Sequence, residues 1–248
     1  MTKKRGPQGA ALFPFKDTAH MSFFTRRMIA PILFGLIGAG ILIGLGVWQL
    51  QRLEWKSAIL AAIDARIGET PVPLPATADP VADRYQPVTL TGALTGQELN
   101  VLTSIKDFGA GYDVIAVLQT TEGRRVMVDL GFIAEEDRAL PRPTGPLEIT
   151  GNLHWPNETD SFTPEPDAKT GIWFARDVAK MATALQTEPL LIIARTVEPM
   201  IGSITLQPVT SEGIANDHLQ YAITWFSLAV VWLGMTLLLL RRIRQRMV

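Results

Sequence analysis

MIAPILFGLIGAGILIGLGVWQL, residues 28–50, runs for 23 positions without a charged side chain. A second run, LQYAITWFSLAVVWLGMTLLLL at 219–240, is uncharged for 22. About 20 apolar residues, each rising ~1.5 Å, cross a hydrocarbon core ~30 Å thick. A helix buried in a soluble protein rarely goes so far without charge. Each run therefore reads as a transmembrane helix. The first is too long for the apolar core of a signal peptide and continues helically past Gly44, Val47 and Trp48, so it is expected to be retained.

The charges flanking these runs give a direction. Arg26 and Arg27 precede the first, and Arg241, Arg242, Arg244 and Arg246 follow the second. Clustered arginine marks the cytoplasmic face. Residues 1–27 and 241–248 are thus expected as cytoplasmic basic tails, 28–50 and 219–240 as spans, and 51–218 as an exported domain. Residues 1–27 carry six basic residues (Lys3, Lys4, Arg5, Lys16, Arg26, Arg27) and one acid, Asp17. With both tails set aside, positions 28–240 hold 13 basic and 23 acidic residues, a net of −10. An acidic middle argues against nucleic acid as a partner; the lipid bilayer is the expected surroundings of the ends. Trp48 and Trp55 suit an aromatic anchor at one interface. Gly40-x-x-x-Gly44 either seats the second helix closely or reflects the ordinary tolerance of membrane helices for glycine.

Beyond the first span, WKSAILAAIDARIG keeps helical periodicity, with Ile59, Ala62, Ile63 and Ile67 on one face. PVPLPATADP (71–80) ends it as an extended linker. Candidate strands follow at 85–92, 99–105, 112–120, 124–132, 147–155 and 190–196, rich in β-branched residues and bounded by turn signals. Glu122–Gly123 reads as a hairpin turn, and 175–186 as one helix. The fold class is α+β: two transmembrane helices flanking a mostly antiparallel, β-rich exported domain.

The chemistry these residues exclude is broad. There is no cysteine, hence no disulfide, zinc thiolate, iron–sulfur cluster or cysteine nucleophile. No G-x-S-x-G, H-E-x-x-H, P-loop or G-x-G-x-x-G occurs, and no enzyme activity is expected. His20, His154 and His218 are the three histidines, far apart in sequence. Glu135, Glu136 and Asp137 read as a solvated loop, and His154 beside Trp155 as a structural histidine. His218 stands in NDHLQYAITWF (216–226), where water gives way to the second apolar run. Asn216 and Asp217 are candidate helix caps, with Asp217 expected to face water.

Four segments resemble the Surfeit locus protein one family, whose members assist cytochrome c oxidase assembly. GVWQLQRLEWK (46–56) is similar to that family's G-x-W-Q-x-x-R-x-x-W-K, and NDHLQYAITWF to its N-N-H-L-x-Y-A-x-T-W-F. GYDVIAVLQTTEGRRVMVDLGFI (111–133) and GIWFARDVAKMA (171–182) are similar to two weaker blocks between them. Leu130 and Phe132 depart from the arginine and tryptophan usual in the family, and Asp217 from its second asparagine.

The resemblance implies an assembly factor for haem-copper cytochrome c oxidase that binds haem a at the membrane edge and aids its delivery to the catalytic subunit. His218 would be the iron ligand. Trp225, about 10 Å deeper on the same stripe at ~1.5 Å per residue, and Arg52 would complete the cofactor site. Small Ala222 would leave room for the ring, and Arg52 with Lys56 would meet the propionates, unless Arg52 merely snorkels to lipid phosphate. Implied partners are the oxidase catalytic subunit and a haem a synthase. The implied location is a bacterial inner membrane with both termini cytoplasmic and the domain periplasmic; Asp17 and scarce serine make residues 1–27 a poor mitochondrial presequence. Read without the resemblance, His218 caps a helix or hydrogen-bonds at the interface. The alternative function is a cofactor-free membrane scaffold that stabilises an oxidase assembly intermediate.

Overall fold

A computed structural model describes residues 26–106, 108–212 and 214–246. The basic tail positions Lys3, Lys4, Arg5, Lys16 and Asp17, together with His20, lie outside the described residues. Residues 26–53 and 217–246 form one compact unit, and Glu54–Asn216 a second.

The first unit is a pair of helices, α1 (Arg26–Ile67, of which residues 26–53 belong here) and α3 (His218–Gln245). Both are long and apolar enough to cross a membrane. On α1 the buried positions are Met28, Gly35, Ala39, Gly46 and Gln49, spaced close to the 3.5-residue repeat of helices that coil around each other. They face Ala222 and Ala229, which are buried, and His218, Phe226, Trp232 and Thr236, which are half-buried. Gly35 abuts Thr236, Gly38 abuts the Trp232 ring, and Gly46 abuts Phe226. Trp232 Nε1–H also donates to the Gly35 carbonyl at 3.1 Å. Close packing at small residues and such hydrogen bonds join the pair, the means by which apolar helices associate in lipid. Gly40 and Gly44 meet nothing. They fall off the 3.5 repeat, so the G-x-x-x-G pattern is not the helix seam.

The second unit is a closed barrel. Its elements are β1 (Val72–Pro73), β2 (Pro87–Ile105), β3 (Gly109–Thr120), β4 (Arg125–Ala134), a short 3-10 turn (Glu135–Asp137), β5 (Pro146–His154), β6 (Ile172–Trp173), α2 (Val178–Leu185) and β7 (Leu191–Glu198). Hydrogen bonding runs β2-β3-β4-β7-β5 and returns to β2. Every pair in that ring is antiparallel except β4 with β7. The strands expected at 85–92 and 99–105 are one long strand. Residues 87–93 pair with β5 and residues from Gly92 onward with β3, and a bulge between Leu94 and Glu98 bends the strand just beyond that changeover. Closure leaves the ring no open edge, which a pattern of alternating residues does not by itself announce.

Alternation along the strands serves two cores. Val114, Ala116 and Leu118 of β3 and Ile192 and Ala194 of β7 fill the barrel. Ile115 and Val117, with Leu191 and Ile193, face outward beneath α2, where Val178, Met181, Ala182 and Leu185 cover them. Asp177 caps that helix, its carboxylate accepting from Lys180 N–H at 3.1 Å. The Glu122–Gly123 turn forms as expected, with Gly123 at φ +86° and its N–H on the Thr120 carbonyl.

The end of α1 is tied to the barrel. Asn152 Nδ2 and Arg195 donate to the Ile67 carbonyl, both at 3.2 Å, satisfying a helix-end acceptor that would otherwise lack a partner. The inward face of this stretch is Leu60, Ile63 and Ile67; Ile59 and Ala62 are exposed. The true face follows the same near-3.5 repeat as the rest of α1, which displaces it by one residue from a 3.6 reading.

Candidate functional site

A buried polar residue inside an uncharged helical run demands a partner, because an unpaired amide away from water costs about 1–3 kcal/mol. Gln49 is such a residue, 9% exposed on α1. Its partner is His218, the first residue of α3. His218 Nδ1–H donates to Gln49 Oε1 at 2.8 Å. In the neutral ring, an amide oxygen before Nδ1 selects the tautomer with the proton on Nδ1 and the lone pair on Nε2. That is how metal-binding histidines are commonly oriented: one ring nitrogen held by a neighbouring acceptor, the other left to ligate.

The surroundings of His218 are partly as the sequence suggested. Asp217 occupies the N-cap position and is exposed, and its side chain makes no capping bond; its backbone carbonyl accepts from Tyr221 N–H at 3.2 Å. His218 and Trp225 are half-buried and lie seven positions apart, two turns along one helix face. Ala222 differs from expectation. It is 1% exposed, packed into the helix seam, so its small side chain allows the helices to approach and leaves no slot beneath the imidazole. The stripe His218, Ala222, Trp225, Ala229 and Trp232 is largely the helix–helix contact.

Arg52 is exposed, three residues past Gln49 on α1 and outside the seam. Lys56, in the barrel unit, gives its ammonium to the Ala215 carbonyl. Asn216 Nδ2 beside it donates to Ser57 Oγ at 3.3 Å. Lys56 thus has a backbone partner. The structure brings Gln49 and His218 together, keeps Trp225 on the His218 face, and sets Arg52 one turn from Gln49. Gln49 escaped the sequence reading although a signal existed, since it is a lone hydrogen-bonding amide in an otherwise apolar run. Among the described residues, no three His, Asp or Glu side chains gather as a metal site.

Two other expectations concern the barrel unit. Glu135 and Glu136 are exposed, yet Glu135 accepts the Tyr112 hydroxyl proton, and Arg138 lies 4.8 Å over the Tyr112 ring. His154 stacks on Tyr85 at 5.3 Å. Burial, assisted by Arg176 and Arg84, holds its pKa down at about 4.

The SURF1 family model matches residues 36–230, a span containing both Gln49 and His218. A SURF1-like protein of Rickettsia felis is 31% identical over 209 residues, covering 79% of this chain and 90% of its own. A SURF1-like protein of Monosiga brevicollis is 29% identical over 217 residues, 80% and 83% of the two chains. Surfeit locus protein 1 of Homo sapiens is 28% identical over 212 residues, 75% and 69%.

Proposed function

The chain belongs to the SURF1 family, and from that premise we propose that it assists assembly of haem-copper cytochrome c oxidase by holding haem a at a membrane edge. The observation that carries this reading is the Gln49–His218 hydrogen bond. In the neutral ring that bond favours the tautomer whose Nε2 can accept a metal, at the first residue of an apolar helix.

The residues fit iron ligation by His218. They do not fit a ring sunk between the helices, because Ala222 closes that space. The cargo would therefore lie against an outer face of the pair, in apolar surroundings, with its propionates toward water. The chemistry haem a would supply once delivered to the oxidase catalytic subunit is electron transfer. Here His218 would hold the haem, Gln49 orients His218, Trp225 offers an aromatic wall, and Arg52 offers a cation to a propionate. Delivery would place the protein in a bacterial inner membrane, both termini cytoplasmic and the barrel periplasmic, with a haem a synthase as supplier.

A cofactor-free scaffold is the second reading, favoured by the closed seam at Ala222. Complementation separates the two. In a strain lacking this gene, wild type should restore haem a to the oxidase catalytic subunit and His218→Ala should not. Full restoration by His218→Ala would favour the scaffold.

A further inference from the structure

The barrel unit contains a cleft of about 410 Å³, lined by Tyr85, Thr103, Asp113, His154, Arg176 and the Gln207–Thr210 segment among others. Two buried polar atoms among these lining side chains have no hydrogen-bond partner, Asp113 Oδ1 and His154 Nδ1. Asp113 is 8% exposed. Native proteins seldom leave such groups unpaired, and an ordered water or a ligand supplies the missing partner.

The charges around them state what that something is. Arg176 is committed: its NH1 donates to Asp129 at 3.0 Å, and its backbone N–H and its Nε donate to Glu158 at 2.9 and 3.0 Å. Its second terminal nitrogen also reaches Glu158. Three carboxylates, Asp113, Asp129 and Glu158, stand against two cations: that guanidinium and Arg84, which donates to the Trp155 carbonyl at 3.0 Å and lies near enough to His154 to act on it. Asp113 is the acid left without a cation. With Asp113 ionised the acids outnumber the cations by one, so an anion would be repelled and a neutral group would leave that charge unbalanced. A cation rich in donors satisfies both unpartnered acceptors and balances the charge.

We propose that this cleft binds a protonated primary amine, its ammonium donating to Asp113 and His154. Three N–H donors on one compact centre match two acceptors plus a hydroxyl such as Thr103, and 410 Å³ lies within the range of small-ligand sites. The amine is either a free small molecule or a lysine side chain of a protein partner. Tyr85, held at φ +68° with its ring on His154, forms one wall of the cleft. Burial and the neighbouring Asp129 and Glu158 push Asp113 up to about 7, against the pull of Arg176. An ammonium bound beside it would therefore displace a proton.

The test uses the full-length protein in detergent micelles and four probes: n-butylammonium, N-acetyl-lysine methylamide, n-butanol and butyrate. Calorimetry near pH 6.5, in two buffers of different ionisation heat, should show n-butylammonium binding with release of a proton. Butanol and butyrate should bind at least about tenfold more weakly. Binding of both cations indicates an open amine subsite; binding of the lysine derivative alone indicates a partner's lysine. Asp113→Asn, nearly isosteric, should weaken the cation about tenfold or more and abolish proton release. Equal binding of butanol and n-butylammonium overturns the proposal, as does no binding of either cation. The probe comparison on wild type decides the matter even if the variant fails to fold.

Discussion

Gln49 and His218 are 169 positions apart in sequence and 2.8 Å apart in space. One lies in GVWQLQRLEWK and the other in NDHLQYAITWF, so each segment supplies half of a single hydrogen bond. Removing an acceptor that orients a ligating histidine commonly costs 10–100-fold in metal affinity. Gln49→Leu should therefore weaken haem a binding by about that factor in a spectral titration, while Gln49→Glu, which keeps an acceptor, should bind nearly as wild type. Unchanged affinity in Gln49→Leu would remove Gln49 from the site.

The helix seam makes its own prediction. A Cβ on Gly46 would lie 2.6 Å from the Phe226 ring, and one on Gly38 would collide with Trp232, whereas Gly40 and Gly44 have open space. Overpacking of this kind costs about 1–3 kcal/mol. Gly38→Ala and Gly46→Ala should lower stability in reversible denaturant unfolding in micelles, and Gly40→Ala and Gly44→Ala should not. Equal effects at all four positions would mean the helices pack on a different face.

The two unpartnered groups of the cleft should oppose one another in pH. Asp113 is raised from 3.8 to about 7, so its contribution to stability is full below pH 4 and lost as pH rises toward 7. His154 is lowered from 6.5 to about 4, so its contribution is full above 6.5 and lost as pH falls toward 4. Relative to wild type, Asp113→Asn should gain stability as pH rises from 4 to 7. His154→Gln should lose it over 4 to 6.5. Urea unfolding at a series of pH values measures both, and slopes of the same sign would contradict the assignment.

Legibility in the sequence followed the reach of each interaction. The apolar runs, the Glu122–Gly123 turn, α2 and most strands depend on neighbours a few residues away, and periodicity reveals them. Barrel closure depends on β2 pairing with β3 and β5 together, a long-range choice made at Gly92 and Ala93, which pair on both sides. His218 was visible as a rare residue in an unusual place. Gln49 as its partner, and the gathering of Asp113, Asp129, Glu158 and Arg176 from separate segments, are products of the fold. Leu130 and Phe132 are fully buried, which the β-branched pattern around them made legible.

The proposed topology is checked with a reporter active only in the cytoplasm. Fused after Val248 it should be active, and inserted within 156–170 it should be silent. Activity at the internal position would invert the orientation drawn from Arg26–Arg27 and Arg241–Arg246.

The visible spectrum tests most directly whether His218 holds haem a. Protein purified in detergent from cells that make haem a should carry the haem a band, and His218→Ala should lose it while still inserting and keeping its helix content. A colourless wild type, or a His218→Ala protein with its full band, would contradict the account.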